Sequence, residues 1–252
     1  MNILKLFAAS TLVTALQVHA QPAACPDEAL LEQLLSFGDL FLGEIHGTVE
    51  TPKLVQCLVE RALENPGEPV IVSVEQSELA RDAGSPIWKH DDSGREDGRS
   101  SEAMFALVMD LVDKEREGLI KLHFQHGGLS RPSAEAIGLE LKDLSERGLV
   151  IALAGGAHSM KNVPAGSPLA VLQEGPHVGP NFTHINIGTA GGGSFWACVP
   201  IAENTEPQCG VRQTAPRSAT AGALVPDATT GHDYVLYLER FTASPPMNRT
   251  SQ

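Results

Sequence analysis

Apolar and polar residues along this chain fall into two rhythms, one with the period of a helix and one with the texture of a buried strand. Asp27 to Phe37 (DEALLEQLLSF) has apolar residues at helical spacing and follows Pro26, which suits a first turn. Asp39 to Gly43 (DLFLG) reads as a short buried strand. Pro52 to Glu64 is an amphipathic helix stopped by Asn65-Pro66-Gly67. Val70 to Val74 is a nearly unbroken β-branched run, the signature of a strand covered on both faces. Gly84 to Arg99 breaks the pattern with Gly, Pro, Ser and many charges, and reads as a mobile or functional loop. Glu102 to Arg116 then predicts a helix, Leu119 to Gln125 a strand, Ser133 to Arg147 a helix, and Leu149 to Ala154 a buried strand.

Strand and helix alternate four times with short turns. That pattern predicts right-handed crossovers and an α/β fold: a mostly parallel central sheet with helices on both faces. After Gly166 the texture changes. Thr183 to Ile187, Ser194 to Val199 and Tyr234 to Glu239 predict strands that extend the same sheet, partly antiparallel. The tail from Ser244 to Gln252 is expected to fray.

The first twenty residues stand apart. Lys5 precedes an apolar run from Leu6 to Leu16, and Val18-His19-Ala20 resembles a signal-peptidase site. The run is too short to span a bilayer. Residues 1–20 are therefore expected to be a cleaved secretory leader, leaving residues 21–252 as one α/β domain of a periplasmic or secreted protein, with no transmembrane segment. The formal net charge is −13, or −14 once Lys5 leaves with the leader. That balance argues against nucleic acid as a partner, because phosphate binding needs clustered Lys and Arg. All four cysteines lie beyond the leader, and an even count in an exported chain reads as disulfides. Of the three pairings, Cys198–Cys209 and Cys25–Cys57 are preferred. The first closes a short polar loop, and the second ties the first helix to the first crossover helix.

The polar residues repeat one placement. The predicted strands run in turn into Gly43-Glu44-Ile45-His46-Gly47, Glu75-Gln76, Gln125-His126-Gly127 and Gly155-Gly156-Ala157-His158. Carboxyl ends of parallel strands share one edge, and ligands bind along that edge. Glu44, His46, Glu75, His126 and His158 are thus expected to meet. Carboxylates and imidazoles together can move protons, with His taking one from water and a carboxylate stabilising its cation. They can equally ligate Zn²⁺, Mn²⁺ or Fe, and spacing leaves both open. Arg99 reads either as a loop charge or as an anion or carbonyl clamp over the edge. Lys161 carries a weaker form of the same argument. Trp88 and Trp196 read as pocket walls or core. No G-x-S-x-G, H-E-x-x-H or Walker sequence is present, so water, not a serine, is the expected nucleophile.

Phe41 to Glu50 (FLGEIHGTVE), answered by Val72 to Glu75 (VSVE), resembles the opening of the erythromycin esterase family and its relatives, the ChaN-like haem-binding lipoproteins and the TraB/Tiki group. Gly155-Gly156-Ala157-His158 resembles the second motif of that wider group. Asp97 to Ser101, preceded by Trp88, resembles a substrate-side loop. The likeness covers about Asp39 to Lys161, half of the chain. It implies a hydrolase in which His46 is the general base, Glu44 and Glu75 orient it or stabilise its charge, and His158 completes the site. Arg99, His126, Lys161 and Trp88 would then contact a small-molecule or peptide ligand, and the bond opened would be an ester, lactone or amide. The alternative it implies is a non-catalytic protein of the ChaN type, holding haem or a divalent metal through Glu44, His46, Glu75 and His158. The tyrosines, Tyr234 and Tyr237, lie in a late strand, unlike the haem-ligating Tyr of that group.

Overall fold

The computed structural model describes residues 23–65, 67–88, 98–126, 134–162, 181–200, 207–227 and 229–247. The expected leader lies outside these residues. Four helices, α1 (Glu28–Leu35), α2 (Glu50–Leu63), α3 (Glu102–Arg116) and α4 (Ala134–Ser145), alternate with the first strands. Those strands are β1 (Leu40–Glu44), β2 (Val70–Ser77), β3 (Ile120–His126) and β4 (Leu149–Gly155). Five follow: β5 (Thr183–Thr189), β6 (Gly193–Pro200), β7 (Pro207–Thr214), β8 (Leu224–Pro226) and β9 (Tyr234–Leu238).

Seven strands form one sheet in the order β3-β2-β4-β1-β5-β9-β8. Every pairing in it is parallel except β8 with β9 at the edge. The near-continuous apolar strands are explained by cover on both sides. Leu40 and Leu42 of β1, Val70, Val72 and Val74 of β2, and Ile151 and Leu153 of β4 pack with α1, α2 and α3 in one core. The residues between them, Phe41, Ile71, Val150, Ala152 and Ala154, pack with Ile137, Leu141 and Leu144 of α4 in a second core. This is the strand period of two, with each face finding its own helices. Helix starts follow ordinary capping: the Asp27 carboxylate accepts the Leu30 N–H at 2.8 Å, and the Ser101 hydroxyl accepts that of Met104 at 3.4 Å.

Two expectations need correction. The segment around Ser194 to Val199 does not extend the main sheet; β6 pairs antiparallel with β7 in a separate two-stranded sheet. Alternation alone cannot say which sheet a strand joins. Nor does the tail fray from Ser244. That residue is buried; its N–H donates to Gly47 O at 2.8 Å, and Glu102 N–H donates to Pro245 O at 2.8 Å. Backbone bonding, invisible in composition, pins residues 244–247. The remainder of the tail lies outside the described residues.

Both preferred disulfides are formed, Cys25–Cys57 and Cys198–Cys209. The first joins the lead-in to α1 to the middle of α2 across 32 residues. A closed loop of that length restricts the unfolded chain by roughly 3.5 kcal/mol. The double variant Cys25→Ser/Cys57→Ser is therefore expected to lose about that much unfolding free energy, measured by urea titration. A midpoint equal to wild type would mean that α1 is already fixed by its own packing.

Candidate functional site

β1 ends in Glu44, which stands in register with Gly155 at the end of β4. His46 is two residues on, and its Nδ1 lies 2.8 Å from Glu44 Oε1. β2 contributes Glu75, whose Oε2 accepts the Gly155 N–H at 2.6 Å. The same carboxylate is the hub of the cluster. Its Oε1 lies 3.0 Å from Arg99 Nη2, 3.5 Å from His158 Nε2 and 3.9 Å from His126 Nε2. Its Oε2 lies 3.7 Å from His46 Nε2. Arg99 Nε donates to His46 Nε2 at 3.2 Å, and the Arg99 carbonyl accepts from Gln76 Nε2 at 2.6 Å. Residues from three other strand ends and one loop thus converge on the carboxylate at the end of β2.

Two glycines make this approach possible. Gly98 (φ +92°) lies so close to the first motif that a Cβ there would sit 2.6 Å from Gly47 N. Gly47 (φ +72°) presses on β6, where a Cβ would sit 2.2 Å from Trp196 O. Both φ values suit glycine alone, and Trp196 N–H donates to Gly47 O at 2.9 Å. The Arg99 loop, the His46 turn and the β6–β7 hairpin therefore touch through backbone.

Over the cluster lies a cavity of about 360 Å³. Glu44, His46, Arg99 and His158 give it polar lining, and Phe195 and Ala197 of β6 give it an apolar wall. A slightly larger hollow, about 410 Å³, lies between Cys25, Glu50 and Arg240 and includes no imidazole. Volume and chemistry point to different places here, and the converging titratable groups decide for the smaller one.

The charges are strongly coupled. Burial raises the Glu75 pKa, but Arg99, His46, His158 and the Gly155 N–H outweigh it and hold the carboxyl at about 2. Burial opposes the His46 imidazolium, yet the Glu44 and Glu75 carboxylates prevail and its pKa is raised. The Arg99 Nε–H bond needs a lone pair on Nε2, which fixes the neutral tautomer with its proton on Nδ1, facing Glu44.

Among the residues proposed from sequence, Glu44, His46, Glu75, Arg99, His126 and His158 are brought together. Trp88 and Lys161 are not. Trp88 is fully buried, donates from Nε1 to Ala80 O at 3.1 Å and packs edge-on against Phe105, so it is core rather than pocket wall. Lys161 pairs with Asp233 at 2.9 Å, away from the cavity lining. Phe195 and Ala197 escaped the sequence reading; alternate positions of a strand sharing a face were the only available signal.

A divalent cation fits this geometry poorly. Among the described residues no three His, Cys, Asp or Glu side chains are grouped to hold a metal ion. The Arg99 guanidinium already bridges Glu75 and His46. Neither Tyr234 nor Tyr237 lines the cavity, so a tyrosine ligand for haem iron is also lacking there.

Gly155 is the floor beneath His46. A Cβ there would lie 2.7 Å from His46 Nε2 and 3.4 Å from Glu75 Oε2. Gly155→Ala is expected to tilt the His46 ring and break its bond to Arg99 while leaving β4 intact. NMR of the His46 imidazole checks this, and an unshifted ring resonance would show that the floor yields instead.

No protein-family model, curated protein or solved structure matches this chain.

Proposed function

We propose that this protein is a hydrolase of the erythromycin esterase, ChaN and Tiki type, acting outside the cytoplasm on an ester, lactone or amide. The observation that carries the reading is the His46 ring, held at Nδ1 by Glu44 and presenting Nε2 at the wall of a cavity beside Arg99. A carboxylate on the far nitrogen sets the tautomer and stabilises the cation that forms when Nε2 takes a proton. Two disulfides support an oxidising compartment, periplasmic or secreted.

In this reading water displaces Arg99 from the single lone pair of Nε2. His46 removes one proton, and the hydroxide oxygen attacks the substrate carbonyl carbon. The negative oxygen of the tetrahedral intermediate faces the Arg99 guanidinium. Collapse breaks the bond to the alcohol or amine, which leaves with the proton that His46 took. The products are a carboxylic acid and an alcohol or amine. Glu75 keeps His46, His158 and Arg99 in place, and its charge stabilises the His46 cation once the proton has been taken. Phe195 and Ala197 offer an apolar surface to the group beside the carbonyl.

A panel of p-nitrophenyl esters, lactones and short peptide amides tests the reading, alongside a hemin titration and elemental analysis of untagged protein. Turnover on at least one carbonyl class is expected. No turnover, together with a Soret band or a stoichiometric transition metal, would move the assignment to a binding protein.

A further inference from the structure

Beyond the Glu75 cluster, a second group of titratable side chains lies directly behind the His158 turn. Ser159 follows His158, and its Oγ lies 2.9 Å from His232 Nε2. His232 Nδ1 lies 2.9 Å from Thr230 Oγ1, and Thr230 Oγ1 bonds to the Asp227 carboxylate. Asp227 also accepts the N–H groups of Thr229 at 2.8 Å and Thr230 at 3.0 Å. The order of donors is then fixed. An ionised Asp227 can only accept, so the Thr230 hydroxyl donates to it and takes the Nδ1 proton of His232 as acceptor. Nε2 is left with its lone pair, and the Ser159 hydroxyl donates into it. Burial, which outweighs the Asp227 carboxylate, holds the His232 pKa at about 4, so the ring stays neutral near neutral pH.

Ser, His and Asp in a row have the composition of a nucleophilic triad, but this one cannot attack anything. Ser159 is fully buried and His232 nearly so. The backbone of β1 closes over them: a Cβ on Gly43 would lie 2.1 Å from Ser159 Oγ and 3.1 Å from His232 Nε2. No carbonyl carbon can reach that oxygen. What the chain does is bind the 156–159 turn to the lead-in of β9. Further bonds run the same way: His184 Nδ1 donates to Ser159 O at 2.6 Å, and the Lys161 N–H donates to Gly231 O at 2.8 Å.

We propose that the chain Ser159–His232–Thr230–Asp227 is a positioning device that fixes the His158 imidazole over Glu75. Its functional importance rests on the hydrolytic reading of the site, but its geometry can be tested without any substrate. Ser159, His232 and Thr230 are positioning residues: none lines the cavity.

The test follows the His158 ring in four proteins: wild type, Ser159→Ala, Thr230→Val and His232→Gln. Two measurements are made, the ring resonances in ¹³C-histidine-labelled protein and the rate of His158 carbethoxylation by diethyl pyrocarbonate, read by mass spectrometry. In wild type, with its side chain 5% exposed, His158 is expected to give one sharp signal and react slowly. Ser159→Ala should broaden or split that signal and raise the reaction rate about tenfold, the scale of one lost buried hydrogen bond. Thr230→Val, isosteric and more distant, frees His232 to carry its proton on Nε2 and donate to Ser159, whose own proton then goes to Gly156 O at 3.3 Å. The contact is reversed and weakened, so a smaller change of the same kind is expected. His232→Gln places an amide oxygen where Nε2 was, and should return His158 towards wild type. A wild-type His158 in Ser159→Ala and Thr230→Val would overturn the proposal, as would His232→Gln behaving like Ser159→Ala. Failure of the substrate panel alone leaves these results standing and counts only against the hydrolytic reading.

Discussion

His46→Ala is expected to lower turnover on the best substrate of the panel by about 10²- to 10⁴-fold, the usual contribution of a positioned general base. The fold should survive, because the ring sits at the cavity wall with 14% of its side chain exposed and its loss opens space towards solvent. A thermal melt within a few degrees of wild type is the control. The pH profile adds a second signature. Since Glu44 and Glu75 raise the His46 pKa against the opposing effect of burial, the neutral ring forms only above the ordinary imidazole range. The rate should therefore rise with pH through an apparent pKa above about 6.5. Unchanged turnover in His46→Ala would end the reading of this residue as the base.

Glu75→Gln is expected to have the largest effect on stability. The carboxylate holds three imidazoles, one guanidinium and a backbone N–H. An amide of the same shape carries no charge for them and turns a donor towards one of them. The sign of its pH dependence is clear. A pKa lowered from its ordinary 4.5 to about 2 stabilises the folded chain above the unfolded value, and that contribution is lost as pH falls from 4.5 towards 2. Its size is on the order of 3 kcal/mol at neutral pH. Urea titrations at pH 7 and pH 3 should show wild type losing part of this margin in acid, with Glu75→Gln already lacking it at pH 7. His46 acts in the opposite sense. Its raised pKa stabilises the fold below the unfolded value, and that contribution fades as pH rises through the folded one. Parallel acid curves for wild type and variant would mean that Glu75 is held by packing alone.

The sheet edge was legible because the β-branched runs mark where strands stop, and in parallel strands those stops align. Glu44, Glu75, His126 and His158 could be placed together on that ground, and Arg99 joined them because Gly98 can lie flat on Gly47. Other features left no local trace. Trp88 lies in a short turn, Pro86–Trp88, whose inward direction depends on Phe105 and Ala80. Lys161 meets an acid 72 residues away. Ser159 and His232 are 73 positions apart, and neither looks unusual among its neighbours. The hairpin of β6 and β7 had the right alternation for a strand but nothing in it to name a partner sheet, although the pairing of Cys198 with Cys209 fits its register residue for residue.

The pairing of Glu44 with Gly155 at the last rung of β1 and β4 also governs how this protein could change over time. Strand side chains point alternately up and down, so inserting or deleting one residue in β1 would shift its register against β4, turning Phe41 into the wrong core or Glu44 and His46 together away from the Glu75 cluster. Length changes in the helices or their connections carry no such penalty. Changes of length are therefore expected to be tolerated in the crossovers away from Gly98 and Arg99, and not in the central strands.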